Sequence, residues 1–415
     1  MQVRTANQAD IERLSHMGCE SFPSGYSYEE RVRLYRNHTR RKLEEDVLVG
    51  EVDGEMVAAL SAIPYTIWIG GARLAMLGLA TVVNALEARR RGYASALCCA
   101  AIARGRARDF VVSILYPFRY DFYRKLGWGT IGELIEYNFH PRNLPHYETQ
   151  RNVRRFRPQD IDAVATCYQR FVERGNCLAE SPPSVWQDWQ LRITERKLIV
   201  MVYEQQGEIR GYLSFCFESG HDMLTQTLSV EELIYDDRES YQGLLGFLAT
   251  LRDQVTSIRY WASPSEAFHY ILNDPRDVKQ PMLASMVSRA GQYGFSYMLR
   301  VLNVEQALIM RPNYHHLNGS ICFQILDEQI PENSRRFRFT LTEGQPTINL
   351  VEDREMAQVH LGIDIFSQLY AGAITASRAH FLGLLEIKDT ASVPLTLSWL
   401  DQAFSLPKPF LLDQF

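Results

Sequence analysis

Cysteine is present in this chain but never in a metal-binding pattern. The seven, at 19, 98, 99, 167, 177, 216 and 322, are odd in number and include no Cys-x-x-Cys and no Cys/His set with ligand spacing. That argues against a bound metal and against a disulfide framework, and suits small buried thiols in a reducing compartment. Cys98 and Cys99 fall inside a helical pattern, where adjacent side chains point about 100° apart, so they are not expected to pair. Excess positive charge is missing too: the formal net charge is −5, which gives no reason to expect a nucleic-acid partner. Long apolar helices are also lacking. The uncharged run from Met56 to Ala72 contains Pro64 and the pair Gly70-Gly71, and reads as two strands and a turn instead of a membrane span. The opening Met-Gln-Val-Arg-Thr has no apolar stretch of the secretory kind, so the expected location is the cytoplasm, away from membranes.

What is there is an ordinary globular composition, 46% hydrophobic, 22% charged and 11% aromatic, over 415 residues. A length of that order is expected to form two to four domains at roughly 100 to 200 residues each. The chain is organised around residues 77 to 105. Leu77 to Asn84 is apolar and partly β-branched. Ala94, Leu97, Cys98, Ala101 and Ile102 then follow the i, i+3, i+4, i+7, i+8 spacing of one helical face. The junction Arg89-Arg90-Arg91-Gly92-Tyr93-Ala94 has the form Arg-x-x-Gly-x-Ala. Small residues let backbone approach a ligand, the first helical turn offers free N–H groups, and three arginines stand upstream: together they form a pyrophosphate cradle.

This junction resembles the acetyl-CoA loop of the GCN5-related N-acetyltransferases (GNAT), whose signature is Arg/Gln-x-x-Gly-x-Gly/Ala after a central strand. A second stretch, Phe118-Arg-Tyr-Asp-Phe-Tyr-Arg-Lys-Leu-Gly-Trp128, resembles the Phe-Tyr-x-x-x-Gly-Phe/Tyr/Trp of the same family. Around these lie an opening strand and helix at 3 to 18, a hairpin from 47 to 63 turning at Asp53-Gly54, a strand at 110 to 115 and a short helix from Phe122 to Gly127. The order predicts an α+β sandwich. The opening then recurs, with Val153 to Ile161 echoing Val3 to Ile11, and 198 to 217 echoing the hairpin. In the second copy the counterpart of the cradle is Leu228 to Gly243, where Asp236, Asp237 and Glu239 would repel phosphate. That copy is expected to keep the fold without the cofactor.

From about Tyr297 the pattern changes, with strands expected at 319 to 327, 336 to 341 and 347 to 350 and helices near 365 to 372, 378 to 386 and 392 to 404. Asn303 to Leu308, Ile309-Met310 before Arg311-Pro312, and Gln368 to Gly372 look like the sterol-carrier-like (SCP2-like) domain of the enhanced intracellular survival (Eis) acetyltransferases. The expected organisation is a catalytic GNAT domain at 1–145, a degenerate GNAT-like domain at 146–295 and a sterol-carrier-like domain at 296–415.

The resemblance implies an acetyl-CoA-dependent N-acetyltransferase acting by direct transfer on a primary amine of a cationic small molecule, aminoglycoside- or polyamine-like, or on a lysine side chain. Val82, Val83 and Asn84 would hold the pantetheine arm through their backbone, and Arg90, Arg91, Gly92, Tyr93, Ala94 and Ser95 the pyrophosphate. Phe118 and Arg119 fall where the family makes further cofactor contacts. Tyr123 is the implied general acid, and the carboxylate of the terminal Phe415, behind the apolar Phe410, Leu411 and Leu412, the implied base. A homo-oligomer, hexameric in the Eis relatives, is also implied. The chain departs from those relatives in lacking their aspartate near Phe22-Pro23-Ser24 and in carrying Gln414 for glutamate, leaving Glu20, Glu29, Glu30 and Asp413 as sources of negative charge. The alternative is a lipid- or acyl-CoA-binding protein that uses the sterol-carrier-like domain without turnover, and it calls for a closed apolar cavity there.

Overall fold

The computed structural model describes residues 1–36, 42–218, 226–312, 314–351 and 357–411. They form two compact units, one of residues 1–132 with those from 296 onward and one of residues 133–295. The first unit begins with β1 (Gln2–Thr5), α1 (Ile11–Ser21), α2 (Tyr28–Arg36), α3 (Leu43–Asp46), β2 (Val47–Val52), β3 (Glu55–Ile69) and β4 (Ala72–Asn84). It continues through α4 (Tyr93–Ala107), β5 (Val112–Leu115), α5 (Tyr120–Arg124) and β6 (Gly129–Thr130). Its sheet runs β1-β2-β3-β4-β5, then the strand Met298–Val301, then β6. Only β4 and β5 are parallel in that path, and α4 is the crossover between them.

β3 is one strand of 15 residues, where the sequence suggested two. Pro64 lies beyond the stretch paired with β2, which stops at Ser61, and opposite Leu77 of β4. The domain limits also differ from the expectation. β7 (Glu133–Phe139), assigned above to the first domain, pairs with Val255–Ala262 and Gln292–Phe295 in the second sheet, while Met298–Val301 pairs with β5 and β6 in the first. The two GNAT-like sheets thus exchange a strand, which sequence periodicity cannot reveal because the partners lie so far apart in the chain.

In the second unit the sheet order is Gln292–Phe295, β7, Val255–Ala262, Gln226–Tyr235, Glu208–Glu218, Ile199–Gln205 and Val153–Arg155. The internal repeat extends to its polar contacts. Arg4 donates to Asp10 and Glu51, and Arg154 donates to Asp160 and Glu204, each fixing the start of a helix against the first hairpin. Residues from Gly319 onward form a third sheet, ordered Gln345–Leu350, Arg336–Thr342, Gly319–Leu326, Val359–Gly362 and Leu385–Ile387. The stretch expected as helix at 378 to 386 is helical only to Phe381, since Leu385–Ile387 pairs with Val359–Leu361. Among the described residues no helix is long and apolar enough to cross a membrane, and the seven cysteines are unpaired.

One carboxyl group in the second unit titrates unusually. Glu266 accepts hydrogen bonds from the Tyr260 hydroxyl at 2.7 Å and the Tyr241 hydroxyl at 3.0 Å. Burial outweighs those donors and raises its pKa from 4.5 to about 7. A folded pKa above the unfolded value means stability that is complete below about 4.5 and lost as pH rises through about 7. Glu266→Gln, neutral throughout, should therefore gain melting temperature relative to the native chain between pH 5 and pH 8, by roughly 2–6 °C for a protein of this size. Calorimetry at the two pH values checks it, and an unchanged difference would mean that Glu266 does not titrate in this range.

Candidate active site

The parallel register of β4 with β5 covers only Met76–Leu79 against Val112–Leu115. Beyond it the strands separate: Ala80, Val83 and Asn84 keep partners on β3, while among the described residues nothing pairs with Ala80 to Asn84 on the β5 side. A bulge marks where this begins. The β3 register slips between Ala59 and Ser61, and Thr81 sits at φ 51°, a left-handed conformation that is costly for a β-branched residue. Past Leu79 the β5-side edge of β4 has no paired strand among the described residues, which suits pairing with an extended amide chain. Val82 and Val83 then face opposite sides. Val82 packs on the cluster that contains Leu97, Cys98, Tyr123 and Trp128, and Val83 belongs to the cluster beneath α1. The Asn84 side-chain Oδ1 is buried and, among the described residues, has no hydrogen-bond partner, so an acceptor is left for a ligand donor.

Past a 3₁₀ turn at Leu86–Ala88 the chain reaches the cradle. Arg90 at φ 61° and Gly92 at φ 81° bend it so that α4 starts at Tyr93. Gly92 is the N-cap, no side chain bonds to the first-turn N–H groups, and no acidic residue lies in that turn. Open space surrounds Gly92, with no atom within 4 Å of where a Cβ would stand. Arg89, Arg90 and Arg91 are exposed beside it. Free donors, the positive end of a 15-residue helix and adjacent guanidinium groups fit a diphosphate.

The corresponding helix of the second unit, Arg238–Thr250, is closed by its own residues. Asp237 accepts the Ser240 N–H at 2.9 Å and the Ser240 hydroxyl bonds back to the Asp237 N–H, a complete capping box. Asp236 is held by Arg170 and Arg174, and Asp237 by Arg210. The second copy therefore differs by more than its acids: the capping box takes up the Ser240 N–H, and the Asp237 side chain stands over the first turn.

Tyr123 lies on α5 with its ring buried among Phe118, Phe122 and Trp128, at centroid distances of 5.5, 4.9 and 6.0 Å. Among the described residues its hydroxyl has no hydrogen-bond partner. Burial, with the nearby Cys98 thiol, pushes its pKa well above 10, so the phenol stays protonated at neutral pH. The same surroundings push the Cys98 thiol up to about 12. Phe118 is exposed on its other side, and Arg119 pairs with Asp121 at 2.5 Å in full solvent. Val82, Tyr93 and Tyr123 meet at one cluster. Phe415 lies outside the described residues, as do Leu412, Asp413 and Gln414. The segment leading there is packed, with Leu411 buried and the Lys408 ammonium donating to the Ala373 carbonyl at 2.6 Å.

The sterol-carrier-like region has an open groove of about 620 Å³ lined by His315, Ser377, Leu397, Asp401, Gln402 and Ser405 among others. It is open to solvent and its lining is mixed, with His315, Asp401 and Gln402 beside Pro394 and Leu397, unlike the closed apolar cavity a lipid carrier needs.

Comparison with known families agrees with this geometry. Residues 2–131 and 179–301 each match an acetyltransferase (GNAT) domain, and residues 304–412 match a sterol carrier protein domain. The chain is a GNAT-family acyltransferase with two GNAT domains followed by a sterol-carrier-like domain, an Eis-like arrangement. Comparison with curated proteins gives no match. Among solved structures it is similar to a GCN5-related N-acetyltransferase from Anabaena variabilis ATCC 29413, at 20% identity and TM-score 0.84 over 100% of both chains. It is also similar to one from Kribbella flavida, at 22% identity and TM-score 0.81 over 100% of this chain and 98% of that one. Eis1 from Mycobacterium abscessus matches at 18% identity and TM-score 0.79 over 100% of both chains.

Thr81 escaped the sequence reading, since a β-branched residue in an apolar strand gives no sign of a bulge. Arg91 offers the simplest test of the cradle. It is exposed, so Arg91→Glu should leave melting unchanged while weakening acetyl-CoA binding about tenfold or more, some 1.4 kcal/mol. Titration calorimetry reads this directly, and native affinity in the variant would remove the cradle from the site.

Proposed function

We propose that the chain transfers an acetyl group from acetyl-CoA directly to a primary amine, carried by a cationic small molecule of the aminoglycoside or polyamine kind or by a lysine side chain. The observation that carries the reading is the uncapped N-terminus of α4 beside a splayed strand pair and a buried, protonated phenol. When bound, acetyl-CoA supplies the activated acyl carbon as a thioester. Backbone groups of Val82, Val83 and Asn84 hold the amide-bearing arm. Arg90, Arg91, Gly92, Tyr93, Ala94 and Ser95 hold the diphosphate, with Phe118 and Arg119 at the margin. As the N–C bond forms and the C–S bond breaks, the Tyr123 hydroxyl gives its proton to the departing sulfur. The proton lost by the amine goes to a carboxylate, for which the Phe415 terminus is the candidate. Glu20 and Glu29, exposed on α1 and α2, add the negative charge that suits a cationic acceptor.

The unpaired thiols support a reducing, cytoplasmic setting. A homo-oligomer, hexameric as the Eis resemblance implies, belongs to the same proposal, and light scattering giving a monomer would remove that part.

Thiol release with a panel of polyamines and aminoglycosides tests the activity. Tyr123→Phe should lower kcat by roughly 10²–10⁴-fold with acetyl-CoA affinity intact, the usual range for a lost general acid. Deleting Phe415 should lower kcat likewise. Full turnover in both variants would assign the proton transfers elsewhere.

A further inference from the structure

We propose that the buried ion pair Arg300–Asp327 is the positioning device for Tyr123, acting through Gly127 and Trp128, and that it ties the setting of the acid to the sterol-carrier-like part of the chain. The inference rests on Tyr123 being the acid. Arg300 lies on Met298–Val301, the strand between β5 and β6, and neither its side chain nor that of Asp327 reaches solvent. Its Nη2 donates to Asp327 Oδ1 at 2.6 Å. That carboxylate also accepts the N–H groups of Gln329 and Ile330 at 3.0 and 3.1 Å and the Asn333 amide at 2.9 Å, so it is fully engaged.

The guanidinium is not. Among the described residues its Nε and Nη1 are buried without a hydrogen-bond partner. Instead of acceptors it meets the turn that closes α5. Its carbon stands 5.8 Å from the Trp128 ring centre, and Gly127, at φ 90°, is so close that any Cβ would collide with Nη1 and Cζ. Trp128 in turn lies edge to face with Tyr123 at 6.0 Å, and its backbone N–H donates to the Tyr123 carbonyl at 3.1 Å. Arg300 is therefore the floor under the turn that presents the phenol. The same loop reaches the cofactor helix, because the Cys99 thiol on α4 donates to Gln329 Oε1 at 2.9 Å. Acid and cradle are both referred to one loop at 327–330.

Stability does not account for the pair. A buried ion pair with bare donors is commonly matched or bettered by apolar side chains of similar volume. What such a replacement would lose is the fixed, planar support beneath Gly127 and Trp128.

The test compares Arg300→Met/Asp327→Leu with Tyr123→Phe in the full chain, reading melting temperature, acetyl-CoA affinity and kcat. We expect the double variant to melt within a few degrees of the native chain, bind acetyl-CoA within about threefold and lose at least tenfold in kcat. A kcat within twofold of native, or a loss matched by an equal loss of affinity, overturns the positioning role. If Tyr123→Phe itself keeps native kcat, the acid assignment fails instead, and the two failures are told apart. Should the double variant not fold, Arg300→Lys keeps a charge opposite Asp327 but lacks the plane. We expect it to lose three- to tenfold in kcat at unchanged acetyl-CoA affinity, and native kcat in it overturns the proposal.

Discussion

An α-helix leaves its first four N–H groups without partners inside the helix, and the two GNAT units of this chain meet that constraint in opposite ways. In the first, Gly92 caps α4 with backbone alone, so the donors stay available beside three arginines. In the second, Asp237 and Ser240 close the helix with their own side chains. The same fold is thereby open to an anion in one copy and sealed in the other. The bulge at Thr81 and the orphan Asn84 Oδ1 stand on the open side, in the unit that keeps its donors free.

The catalytic unit is not a contiguous domain. Its sheet is completed by Met298–Val301, which follows the second unit in sequence and enters between β5 and β6. β5 carries the splay on one edge and receives this returning strand on the other. Arg300 on that strand packs against Gly127 and Trp128, so a residue late in the chain meets the turn that closes α5 near its start. The cost of this arrangement is a long loop to close before the sheet is whole, a slow step in folding on general grounds.

How much of this was legible depended on range in sequence. The cradle, the Phe-Tyr segment and the internal repeat are local, and they declared themselves through residue type and spacing. The repeat was visible as Val-Arg leading to Asp-Ile, and Arg4 and Arg154 prove to hold equivalent carboxylates. The strand exchange was not legible, because β7 carries the same apolar alternation whichever sheet receives it, and so the limit drawn at 145 fell beyond a strand that belongs to the second unit. Nor were the bulge and the Arg300–Asp327 pair, which depend on where two distant segments meet. Glu266 was missed for a related reason: nothing in the sequence puts Tyr241 and Tyr260 around it.

Counting bound acetyl-CoA per chain by titration calorimetry tests the central contrast most directly. One molecule for each chain is expected, held by the uncapped helix of the first unit. Two would mean that the capping box of the second unit does not exclude the cofactor, and none would mean that free helix donors and arginines do not make a diphosphate site here.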